Sequence, residues 1–128
     1  MKLIGKETYE RRYPEEGIDV DKQPLFYLKK LTVGEKAAID DSSFETDEKG
    51  VVQFRGGSSH RLKIKYSLMD WKNVTDEGGN AIVCSDDNKD KLPLNVAQWL
   101  VVEIDDLNGI GLKLTEEEKK NFMSRLSR

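Results

Sequence analysis

The stretch RLKIKYSLMDWKNVTDEGGNAI, Arg61 to Ile82, decides how this chain folds, because two incompatible periods run through its first half. Leu62, Tyr66 and Met69 recur at helical steps, as do Ile64, Leu68 and Trp71, so a helix here would bury a broad face. Leu62, Ile64, Tyr66 and Leu68 also alternate with Lys63, Lys65 and Ser67, which is the signature of a half-buried strand. The length of the run and an N-cap at Ser58 or Ser59 favour the helix. After Trp71, itself expected in the core, the chain must turn. Asp76, Gly78, Gly79 and Asn80 supply side chains that bond nearby backbone and glycines that accept positive φ, which predicts a hairpin loop over Asn73–Asn80.

Toward the N-terminus, PLFYLKKL at Pro24–Leu31 reads as a strand, and Thr32 followed by Glu35 has the capping-box spacing that opens a helix over Val33–Asp41. Asp40 and Asp41 read as the solvated end of that helix rather than as metal ligands. Ser42–Gly50 is a polar connection, Val51–Phe54 a short strand, and Gly56-Gly57-Ser58-Ser59 a flexible bend lacking the Lys-Ser/Thr ending of a phosphate loop. Residues 1–23 carry Pro14, Gly17 and no sustained period, so they read as a polar arm anchored by Tyr9 and Tyr13, with 24–128 as one domain. Leu3 and Ile4 are the strand candidates within that arm.

Toward the C-terminus, Asp86, Asn88 and Asp90 alternate like the opening of a calcium loop, but Lys91 replaces the glycine and Ala97 the glutamate that such a loop requires. An exposed loop capping the next helix is the better reading. Leu94–Asn108 has apolar residues at three- and four-residue steps, with Pro93 before it and Gly109 after it, and is the clearest helix. Trp99 and Val102 widen its apolar surface, which makes them candidate protein-binding residues, with a core tryptophan as the competing account. Thr115–Glu118 repeats the capping-box spacing and predicts a last amphipathic helix, whose Phe122 and Met123 complete the candidate contact set. The expected fold class is α+β: a small sheet of short strands packed with three to four helices, the C-terminal half being helical.

A chain of 128 residues suits one domain. Charged residues make up 35% and mean hydropathy is −0.66, with no apolar run long enough for a bilayer and no secretory core near Met1, so no membrane is expected and the cytoplasm is. A net charge of −3 gives no reason to expect nucleic acid as a partner. Arg55, His60, Arg61, Lys63 and Lys65 gather locally and read as a solvated face. Cys84 is the single cysteine and His60 the single histidine, so an internal disulfide and a histidine-paired metal site are both excluded, and nothing advertises an activated thiol. The expectation is therefore a non-enzyme with no catalytic residue, metal or cofactor.

Three motifs carry a resemblance. They are Leu31-Thr32-x-x-Glu35 after an extended segment, the basic-apolar run ending in Trp71 and Asn73 with Asp76-x-x-Gly79-Asn80 beyond it, and the closing Leu114-Thr115-x-x-Glu118-x-Lys120-Asn121. Together they resemble tail assembly chaperones and minor tail-morphogenesis proteins of long-tailed bacteriophages and prophages. The acidic connections Ser42–Gly50 and Ser85–Asp90 depart from the pattern. The resemblance implies a chaperone that binds tail components such as the tape measure or tail tube protein in the bacterial host cytoplasm, with self-association as a further expectation. The alternatives are a structural tail or head-tail connector subunit that oligomerises in the particle, and a small ligand-binding or hydrolytic domain.

Overall fold

The contested stretch is a helix and then a strand. Helix α2 runs Gly56–Ser67 and strand β5, Leu68–Lys72, follows it directly. The computed structural model describes residues 1–42, 44–46, 49–50, 52–54 and 56–110, with backbone only at 44–46, 52–54 and 56–58. β5 pairs antiparallel with β2, Leu25–Leu28, so that Tyr27 faces Asp70 while Leu28 faces Leu68, leaving Met69 as an extra residue on β5. In a regular strand Leu68 and Trp71 would point to opposite faces; the bulge brings both inward. Leu68 is 0% and Trp71 6% exposed, whereas Met69 is turned out at 45%. The stripe Ile64, Leu68, Trp71 is thus buried as the sequence suggests, but only Ile64 reaches the core from a helix.

The other edge of β2 is taken by β1, Tyr9–Arg12, giving a three-stranded antiparallel sheet in the order β1–β2–β5. This corrects the reading of residues 1–23 as an arm separate from the domain. Tyr9–Arg12 is part of the sheet, Tyr13 is buried, and Arg12 Nη1 donates to the carbonyls of Val20 and Gln23, folding the intervening turn back onto the strand. Leu3 and Ile4 are exposed and in no strand. The polar and charged character of β1 hid it: an edge strand needs only one apolar face, and Tyr9 and Arg11 on that face do not resemble one.

Phe26 and Leu28 point from β2 into a core shared with Ile39 of α1 (Val33–Ser42), Ile64 of α2, and Val96, Trp99, Leu100, Val101 and Ile104 of α4 (Leu94–Asn108). The helices cover one sheet face, the two-layer arrangement of an α+β fold. The predicted capping box is present: Glu35 N–H donates to Thr32 Oγ1 at 3.1 Å and Thr32 N–H to Glu35 Oε1 at 2.9 Å. Gly109 ends α4 with φ +66°. Ser42–Gly50, expected to be a simple connection, contains strand β3, Phe44–Thr46, which pairs with β4, Val52–Phe54. The Gly56–Ser59 bend is instead the first turn of α2, where tertiary packing overrides the weak helix propensity of glycine. After β5, Asp76 builds the predicted hairpin: its Oδ1 accepts from Gly78 N–H and Asn80 N–H, both at 2.9 Å, and Gly79 takes φ +80°. Trp71 Nε1–H donates to Ile82 O at 2.7 Å and pins this hairpin to the sheet.

Candidate protein-interaction surface

Of the predicted contact residues, Trp99 and Val102 lie among the described residues. Trp99 is 5% exposed, its ring edge-on to Tyr13 at 5.2 Å and tilted against Phe26 at 5.9 Å. Its assignment as a protein-binding residue is therefore corrected: it faces the sheet. Val102 is half-buried on α4. Phe122, Met123 and the helix expected after the Thr115 capping box lie outside the described residues.

A groove does exist where α2 meets the start of α4, and the segment between them shapes it. Ser85 caps a short helix α3, Asp86–Lys89, by accepting from Asn88 N–H at 3.2 Å, and Asn88 Nδ2 donates back to Val83 O at 2.9 Å. The expected loop at Asp86–Asp90 is thus a helical turn with its own cap. Lys89 Nζ donates to Lys65 O and to Asp86 Oδ1, each at 3.2 Å, seating α3 against the last turn of α2. Just beyond it, Arg61 donates to Asp90 through Nε to Oδ1 at 3.0 Å and through Nη2 to Oδ2 at 2.7 Å, a two-point pair between planar groups. The Asp90 carboxyl lies below its ordinary value, first because it accepts these bonds and then through the Arg61 charge.

Arg61 and Asp90, with Lys89, line both of two adjoining clefts. One, a cavity of about 330 Å³, has Ile64, Leu92, Leu94 and Ala97 as apolar walls and His60 and Gln98 on its rim. Leu94 stands 74% exposed there. The other, a cavity of about 300 Å³, is charged, lined by Lys65, Lys89, Asp86 and Asp87. An apolar recess beside a charged one suits a segment that inserts an aliphatic or aromatic side chain and sets a polar neighbour over the Arg61–Asp90 pair. Of the basic cluster, His60, Arg61 and Lys65 are exposed, as expected of a solvated face, whereas Lys63 lies 2.9 Å from Asp105 Oδ1 with only 13% of its side chain exposed and ties α2 to α4; Arg55 lies outside the described residues.

Among the described residues, neither the single histidine nor the single cysteine shows a partner for chemistry. His60 is exposed at the groove rim, and burial pushes the half-buried Cys84 thiol up, away from the reactive thiolate. No cluster of three or more His, Cys, Asp or Glu residues able to hold a metal occurs among the described residues. No described helix is long and apolar enough to cross a membrane. The groove was missed in the sequence because its walls come from three separate segments. The signal available was Leu92 and Leu94 flanking Pro93, two apolar residues off the main α4 stripe. No protein-family model, curated protein or solved structure matches this chain.

Proposed function

We propose that the chain is a non-enzymatic tail assembly chaperone of a phage or prophage, which holds an apolar segment of a tail component, such as the tape measure or tail tube protein, during virion morphogenesis in the host cytoplasm. The observation that carries the binding role is the apolar cleft floored by buried Ile64 and opened by exposed Leu94, with the Arg61–Asp90 pair on its rim. The motif resemblance supplies the class of partner. Apolar recesses edged by oriented polar groups are where side chains of a partner segment dock, and binding there shields apolar surface without bond-making.

The test is calorimetric titration of the purified chain with tail components encoded beside it. Leu94→Asp should weaken binding at least about tenfold, placing a charge in the recess while disturbing no buried contact. Unchanged affinity would refute the groove, and binding to none of those components would refute the chaperone role. Mass spectrometry of assembled particles separates the competing structural-subunit reading, since a chaperone is absent from the finished particle.

A further inference from the structure

Glu10 and Arg12 turn their main-chain groups away from the sheet. Tyr13 N–H donates to Pro24 O at 2.9 Å, and antiparallel bonding alternates, so Tyr9 and Arg11 share that inward orientation while Glu10 and Arg12 face outward. Among the described residues no strand flanks this edge. The opposite edge is guarded: Asp70 Oδ1 accepts from Trp71 N–H at 2.8 Å and Met69 bulges, both of which discourage an added strand. On β1 the Glu10 carbonyl accepts only from the long, exposed Arg11 side chain, at 3.0 Å.

We infer that β1 is a self-pairing edge, through which two copies of this chain join antiparallel about a twofold axis at Arg11 into one six-stranded sheet. In that register Glu10 lies opposite Arg12 of the second copy, twice, and the outward main-chain groups of those same residues meet as hydrogen-bonded pairs. The neighbouring registers are unfavourable. Centring on Glu10 opposes two carboxylates, and centring on Arg12 gives up both Glu10–Arg12 pairs and sets Glu10 against Pro14, which has no amide proton. The two Arg11 side chains approach each other on the axis, but each has its Nε 3.3 Å from its own largely buried Glu103. Arg12 spends one nitrogen on Val20 and Gln23, and the guanidinium retains further donors for Glu10. Four residues make a small interface, so the dimer is weak and concentration-dependent. Self-pairing here is independent of the groove and of what fills it.

Sedimentation of the purified chain over a concentration series tests this. The wild type should show a monomer–dimer equilibrium. Glu10→Pro removes an outward amide without touching the bonds to β2, and Glu10→Arg opposes like charges; each should raise the dimer dissociation constant at least about tenfold with little change in Tm. Adding Arg12→Glu to Glu10→Arg should restore dimerisation. Because Arg12 also holds the Val20–Gln23 turn, Glu10→Pro and Glu10→Arg decide the matter if the double variant does not fold. A wild-type chain that is monomeric at its highest soluble concentration, or a dimer unmoved by both Glu10 variants, would overturn the inference.

Discussion

Arg61 and Asp90 meet at two points, 3.0 and 2.7 Å, and the pair borders both the charged and the apolar cleft. Both side chains are well exposed, 71% and 42%, so solvent screens the attraction and the pair shapes the groove more than it stabilises the fold. Arg61→Ala should leave Tm nearly unchanged while the amides of Asp90 and Lys91 exchange faster, as the end of α3 loosens from α2. A large fall in Tm would contradict this. The Asp90 carboxyl is held below its usual 3.8, so the tie is complete above the unfolded value and fades only as pH falls through the lower folded one. An NMR titration placing Asp90 at or above the ordinary value would refute that order.

Trp99 behaves as a core residue. Trp99→Ala empties the space between Tyr13 and Phe26 and should cost about 3–5 kcal/mol in urea denaturation, where truncations of buried aromatics fall. A loss under about 1 kcal/mol would return the side chain to the surface.

The start of α1 offers a paired test. Thr32→Ala removes the acceptor for Glu35 N–H and should cost about 1 kcal/mol. Burial pushes the Glu35 carboxyl up, but the Lys29 ammonium at 2.6 Å and the Thr32 groups outweigh it and leave the carboxyl below 4.5. Its contribution is therefore full above the unfolded value and lost as pH falls through the folded one. Stability curves of wild type and Glu35→Gln should converge on acidification through that window; curves that stay parallel would count against the linkage.

Cys84 should alkylate slowly. Burial raises its thiol above the usual 9.0, the nearby Lys89 charge opposing only in part, so iodoacetamide labelling should rise at higher pH than for the urea-unfolded chain. The linkage has the opposite sense here: the neutral thiol's stabilisation is complete below the unfolded value and lost as pH rises through the folded one. Labelling at the same rate folded and unfolded would disprove this protection.

What was legible in the sequence was local. The Thr32–Glu35 cap, the Asp76 turn and the Pro93-to-Gly109 limits of α4 each depend on residues within a few positions, and each was read correctly. The first two of these also lie within motifs on which the resemblance rests, and their geometry accounts for them as a cap and a turn. What was not legible is set by distant contacts. β1 is recognisable only once β2 lies beside it, Gly56 and Gly57 are helical only because α2 packs on α1 and α4, and the groove exists only when Ile64, Leu92 and Ala97 converge. Trp99 was ambiguous because an aromatic off the main stripe can face a neighbour or a partner, and here the neighbour is Tyr13.

Met69 has no counterpart on β2, so the registers of β5 on either side of it differ by one residue. Any regular pairing of β5 that lacks the bulge seats Leu68 or Trp71 beneath the helices but never both, and puts the other in water. The unmatched residue is a mechanical key: each wrong alignment forfeits one of two anchors, so mispaired chains are disfavoured at the first meeting of the two strands.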